Sequence, residues 1–229
     1  MDWDDLLKNR KQTFQFKKEK PPKELIDKIL DEVHRYCPSK QKAVPWKLDA
    51  YDWSNPEFRK QVFYDAWCDS ESLSDLRNPQ VLAPYIFILS IRNIKLTDYE
   101  PITKDGAYGE IINLINNEGY KRNRAMKEIG FAAMLITFSA INKGLHVGYC
   151  GSFNSNNKNT KLIIGVGYED TSSTYINPLT NRPTESRPTP FFQDEHKPNP
   201  ETYIIKHYKW CMYRYEDITT VHIEPTQLC

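Results

Sequence analysis

The stretch Glu128 to Ile141, EIGFAAMLITFSAI, constrains the fold of this chain more than any other. Ile129, Phe131, Ala132, Ala133, Met134, Leu135, Ile136, Phe138, Ala140 and Ile141 leave almost no polar face. A helix that is apolar all round belongs in a protein interior or in a membrane. This one falls short of the roughly 20 apolar residues that a bilayer crossing needs, so it is expected to be the buried central helix of a soluble protein. Asn142-Lys143-Gly144 supplies its stop, with Lys in the last turn and Gly just beyond. A short apolar strand, Leu145 to Val147, is expected next, running into a glycine-punctuated turn, Gly148-Tyr149-Cys150-Gly151-Ser152. Such a turn lets main chain approach a ligand.

Composition excludes several classes. The chain has 229 residues, 39% hydrophobic and 27% charged, which is a globular balance. No Ser/Gly linker divides it, so one domain is expected over 1–229, with 169–229 an irregular segment and C-terminal arm. A net charge of +1 gives no global reason to expect nucleic acid or an anionic membrane as partner. The five cysteines (Cys37, Cys68, Cys150, Cys211, Cys229) form no CxxC, which argues against a zinc site or a disulfide framework. His34, His146, His196, His207 and His222 are scattered without HExxH or HxH spacing, so no metal is expected. The start, MDWDDLLKNRKQ, lacks the apolar run of a signal peptide, and a cytoplasmic location is the default expectation.

Around the central helix the pattern predicts α+β. Asp2 to Lys8 reads as a short helix and Thr13 to Phe16 as a brief extended segment. Pro21-Pro22 opens a second helix, whose Leu25, Ile26, Ile29, Leu30, Val33 and Cys37 recur at helical spacing until Pro38 ends it. Lys47 to Ala50 begins a strand, and Asn55 to Cys68 is helical with Phe58, Val62, Phe63 and Ala66 on one face. Val81 to Ile91, VLAPYIFILSI, is a continuous apolar run expected of a strand buried on both faces. Glu110 to Asn116 forms a short helix, Leu162 to Tyr168 a second buried strand, and Thr202 to Glu224 a strand-like arm. Helices are therefore expected around a small mixed central sheet.

Three segments carry candidate site residues. Asn9-Arg10-Lys11-Gln12 places two cations side by side at a helix end, able to clamp a phosphate; a solvated helix end is the plainer reading of that segment alone. Pro38-Ser39-Lys40-Gln41-Lys42-Ala43-Val44-Pro45-Trp46 is a loop stiffened by two prolines and bearing a hydroxyl and two ammonium groups. Taken alone it reads as a helix-to-strand connection. The third is the Gly148 to Ser152 turn. His146 with Cys150 suggests a thiol nucleophile only weakly, since four residues apart they need not meet.

In this order and spacing the segments resemble the nitroreductase family of flavin mononucleotide (FMN) enzymes. NRKQTFQF stands where that family has an R-R-S-x-R-x-F type motif, and PSKQKAVPW resembles its P-S-S-x-N-x-Q-P-W type loop. LAPYIFIL, AINKGLHVGYCGSF and LIIGVGYED resemble its later strand, helix and glycine motifs, so that the likeness runs from Trp3 to Asp170. Gln12 replaces a Ser, Phe14 a basic residue, and Lys42 and Val44 the amide residues of the family pattern.

The resemblance implies an FMN-dependent oxidoreductase that takes hydride from NADH or NADPH and reduces a small acceptor such as a nitroaromatic or quinone. It also implies an intertwined homodimer with its flavins at the interface. Arg10, Lys11 and Gln12 would contact the phosphate, ribityl chain or pyrimidine edge. Pro38, Ser39, Lys40 and Lys42 would lie along the isoalloxazine ring, often that of the partner subunit. Tyr149, Cys150 and Gly151 would bring main chain near the flavin N5, and Arg187 or Arg182 would complete the phosphate site. The alternative is a degenerate member of the fold that binds a nucleotide or a protein without catalysis.

Overall fold

The computed structural model describes residues 2–66, 78–99, 107–151, 159–172, 174–176 and 183–185. All belong to the first of two compact units, Met1–Thr189. The second unit, Pro190–Cys229, includes the expected C-terminal arm and lies outside the described residues.

The order of elements follows the apolar patterning. Helix α1 (Trp3–Asn9) starts at Asp2, whose carboxylate caps the Asp5 amide at 2.8 Å. Helix α2 (Lys23–Tyr36) buries Ile26, Ile29 and Val33. Strand β1 (Trp46–Tyr51) precedes α3 (Pro56–Asp65), which is capped by Asn55. Strand β2 (Tyr85–Ile91) is buried along its whole length. The expected strand from Val81 is shorter in fact, because Val81 and Leu82 sit in a 3-10 turn (Pro79–Leu82) and Pro84 separates that turn from the strand. Helix α4 (Ala107–Asn116) leads to α5 (Glu118–Asn142), which is 25 residues long.

Strand β3 (His146–Cys150) corrects the expected glycine turn. The chain stays extended through Gly148 and Tyr149, paired with β4 (Thr160–Gly167). A small hairpin, β5 (Thr174–Ile176) with β6 (Pro183–Glu185), falls in the segment read as irregular.

The central sheet has the order β1-β2-β4-β3, and every described pairing is antiparallel, where a mixed sheet was expected. Neighbouring strands run in opposite directions, while β2 and β3, both antiparallel to the β4 between them, run the same way, so the chain passes from β2 through α4 and α5 to β3 in a crossover past one strand. One face packs Phe87, Leu89, Val147 and Ile164 against α2 and α5. The other packs Ile86, Ile88, Cys150 and Ile163 against Val62, Phe63 and Ala66, at the end of α3, and against Val81 and Leu82. Arg59 is buried beneath this second layer, donating to the carbonyls of Val81 (2.8 Å) and Ala83 (2.7 Å) and stacking on Trp53 at 4.2 Å.

Helix α5 differs from its expectation in one respect. Its inner side is fully buried, but Phe131 is 52% and Met134 41% exposed. Beside them on α1, Trp3 is 59% exposed, its ring 5.0 Å from that of Phe138. A single copy thus leaves one stripe of its central helix uncovered.

Candidate functional site

The register of the sheet decides where the three segments lie. Trp46 opens β1 opposite Ile91 at the end of β2, Ile91 takes a 2.9 Å bond from its own amide to Asn159 before β4, and Cys150 closes β3 opposite Ile163. The Pro38–Pro45 loop and Gly151 are therefore at the same end of the sheet, but on opposite edges. Three strand spacings of about 4.8 Å put roughly 14 Å between those edges.

Arg10–Gln12 joins Gly151 at the β3 edge. The Gln12 side chain donates to the Tyr149 carbonyl at 2.8 Å and accepts from the Tyr149 amide at 2.9 Å. The Thr13 amide donates to the Val147 carbonyl at 2.9 Å. Gln12 thus completes an unpaired edge as another strand would, and Gln80 makes a second 2.8 Å bond to the same Tyr149 carbonyl. The main-chain groups of Tyr149 are engaged within the protein. Its phenol bonds Thr137, and burial pushes its pKa up. Cys150 is buried. It lies four residues along the strand from His146, a rise of roughly 13 Å, which separates that pair.

Lys11 forms an ion pair with Glu169. His146 accepts the Glu169 amide at its Nδ1, 3.2 Å away, and burial lowers its pKa, favouring the neutral ring. Arg10 is half-buried, two residues before Gln12. Gly151 is exposed, and a Cβ built there meets nothing within 4 Å among the described residues. This edge offers a flavin mononucleotide a guanidinium suited to an anion, two residues before the Gln12 that is bonded to β3, and an exposed glycine at the end of that strand for a planar ring to approach. Arg10, with Lys11 beyond it, would hold the phosphate, and Gly151 would face the ring. Arg182 and Arg187 lie outside the described residues.

At the β1 edge, the loop from Pro38 is tightly wound. Gln41 (φ 54°), Lys42 (φ 56°) and Val44 (φ 40°) are all left-handed. Such conformations cost about 1–3 kcal/mol each, and a β-branched residue tolerates them least. Ser39 holds the turn: its carbonyl accepts from the Lys42 amide at 3.1 Å, and its hydroxyl accepts from the Val44 amide at 2.8 Å. The Ala43 carbonyl accepts from Tyr99 and, at 3.3 Å, from Arg92. Lys40 reaches the buried Glu110 at 2.8 Å. Lys42 is exposed.

Sequence reasoning missed the residues behind this loop. Tyr120 donates to Glu110 at 2.9 Å, Arg124 pairs with Glu128 at 2.7 Å, and the Trp46 indole donates to Glu128 at 3.2 Å. Burial pushes the Glu110 pKa up, but bonds from Lys40 and Tyr120 outweigh it and the net shift is downward. The available signals were the i,i+4 spacing of Arg124 and Glu128 and a carboxylate at the head of an apolar run.

A small antiparallel sheet covered by helices on both faces defines an α+β scaffold. The model of the nitroreductase family matches residues 7–170, and the chain belongs to that family. Solved structures share the fold. A provisionally assigned nitroreductase from Bacillus subtilis is 15% identical, with a TM-score of 0.60, over 86% of this chain and 98% of that one. A provisionally assigned NAD(P)H:FMN oxidoreductase from Staphylococcus epidermidis is 16% identical, with a TM-score of 0.58, over 86% and 95%. A provisionally assigned nitroreductase from Exiguobacterium sibiricum, solved in complex with FMN, is 14% identical, with a TM-score of 0.55, over 74% and 89%. A search of curated protein sequences gives no match.

Proposed function

We propose that this chain is an FMN-dependent oxidoreductase that moves electrons from NADH or NADPH to a small acceptor such as a nitroaromatic or a quinone. Family membership supports the flavin chemistry in general. The observation that carries the reading is the exposed Gly151 at the end of the edge strand whose Tyr149 is bonded by Gln12, two residues after Arg10. When bound, FMN supplies the electron transfer itself. The protein orients it, with Arg10 on the phosphate, Gly151 against the ring, and the Gln12–Tyr149 bonds fixing the edge on which both stand.

The working form in this reading is a homodimer in a reducing cytoplasm. Two observations support the dimer: the uncovered stripe of Phe131 and Met134, and the roughly 14 Å between the two site edges in one copy. A loop from a second copy supplies the far wall. The family name and the Staphylococcus epidermidis relative motivate the choice of reductant.

The test is the visible absorbance of the freshly purified protein, followed by FMN titration and NAD(P)H oxidation. A yellow protein that consumes NADH or NADPH supports the reading. A folded dimer that takes up no FMN overturns it in favour of a binding module, a reading favoured by the engagement of Gln12 and of the Val44 amide within the protein.

Two substitutions probe the site. Arg10→Ala is expected to weaken FMN binding by about 1.5–3 kcal/mol, the value of a charge-assisted hydrogen bond, as read by fluorescence titration; unchanged affinity removes Arg10 from the site. Gly151→Val is expected to leave the melting temperature unchanged, since a Cβ there meets no described residue within 4 Å, while reducing flavin uptake. A variant that binds and reduces flavin normally places the ring elsewhere.

A further inference from the structure

We propose that Glu110 and Glu128 are positioning residues for the Pro38–Val44 loop, holding it in the left-handed form in which it faces a bound flavin. The inference rests on the flavin reading of that loop and adds what controls its shape. Three non-glycine residues with positive φ within four positions persist only where the surroundings over-determine the backbone. The surroundings here are a chain of charged and polar groups. Lys40 donates to Glu110 at 2.8 Å, Arg124 stands 3.5 Å from Glu110 and 2.7 Å from Glu128, and Glu128 accepts from Trp46 at 3.2 Å. One carboxylate therefore grips the loop near its start and the other grips the residue that follows it, with Arg124 joining the two.

Stability alone is a poor reason for this arrangement. Glu128 is 1% and Glu110 7% exposed, and the desolvation of buried carboxylates largely offsets their ion pairs. Apolar side chains would pack α4 on α5 as well. Apolar contacts would not fix the directions of Lys40 and the Trp46 indole, which directional bonds to one oxygen of each carboxylate do.

The experiment uses Glu110→Gln and Glu128→Gln in the full chain. Both oxygens of Glu128 accept from donor-only groups, so Glu128→Gln sets an amide N–H against Arg124 or the Trp46 indole, whereas Glu110→Gln removes the charge that pairs with Lys40 and Arg124. FMN dissociation constants are expected to rise about tenfold or more, with helix content and oligomeric mass unchanged. The amides of Lys42, Ala43 and Val44 should exchange with deuterated solvent faster than in the parent. Asp52→Asn, which breaks an ion pair with Lys20 elsewhere, separates lost stability from lost loop geometry and should leave loop exchange and FMN affinity unchanged. If Glu128→Gln does not fold, Glu110→Gln carries the test from its less buried position. Folded variants with parental FMN affinity and parental loop exchange overturn the inference. If the parent chain itself takes up no FMN, the flavin reading fails, and the exchange rates alone decide whether the two carboxylates set the loop.

Discussion

Gly148→Ala is expected to destabilise the protein by roughly 3–5 kcal/mol, at the upper end of single-substitution effects. A Cβ at this position would sit 1.9 Å from the Thr13 carbonyl oxygen and 2.8 Å from the Gln80 Cβ. The first of these is main chain and cannot rotate away. Thr13 is itself tied to Val147 by its amide, and its neighbour Gln12 is tied to Tyr149 on both sides. Relief therefore requires the whole Arg10–Phe16 segment to lift from β3. Gly165, paired with Gly148 across the ladder, has the same constraint from the Gln80 carbonyl at 2.1 Å. For a chain of this size a loss of that order lowers the melting temperature by on the order of 10 °C, measurable by calorimetry. Gly151→Ala, three residues along, should cost almost nothing, because a Cβ there meets no described residue within 4 Å. Equal melting temperatures for the two variants would contradict this account of the N-terminal segment. Because the lifted segment carries Arg10, any folded Gly148→Ala protein should also bind FMN less tightly than its stability alone predicts.

The same glycine shows what was legible in the sequence and what was not. Close approach of main chain was the correct reason for glycine at 148, but the approaching group is the protein's own Thr13, so the strand continues where a turn was expected. Helix α2 and strands β2 and β4 were readable because burial on one stripe, or on both faces, leaves a local pattern. The first ten residues of α5, EGYKRNRAMK, carry almost no such pattern, and Asn117 capping the Tyr120 amide at 2.9 Å starts that helix. The bonds from Glu110 to Lys40 and Tyr120 join residues 70 and 10 positions apart, and those from Glu128 to Trp46 span 82. Only the tertiary fold brings them together, so beyond the i,i+4 pair of Arg124 and Glu128 no spacing in the sequence announces the support behind the loop. The candidate site divides in the same way. Its motifs are local and legible in order, whereas the roughly 14 Å between them within one copy follows from strand order, which the sequence pattern leaves open.

That separation gives the second large expected effect its weight. Phe131→Arg should convert the proposed homodimer to monomers at concentrations where the parent is dimeric. Phe131, Met134, Leu135 and Phe138 recur at helical spacing along α5, and the stripe borders a cleft of about 590 Å³ lined by Leu6, Tyr36, Leu135 and Phe138. Two copies of α5 packed antiparallel about a two-fold axis near Met134 and Leu135 would set Phe131 of one opposite Phe138 of the other. An isologous interface counts every substitution twice. An unpartnered charge held out of water costs several kcal/mol, so two of them weaken association by roughly four orders of magnitude. The isolated fold loses little, because Phe131 is already half exposed in one copy. Sedimentation velocity across a dilution series separates the outcomes. A parent dimer and a folded Phe131→Arg monomer support the α5 interface, and the monomer should then also lose FMN, since its loop no longer reaches the Gly151 edge of a second copy. A variant that sediments as the parent does would move the interface away from this stripe.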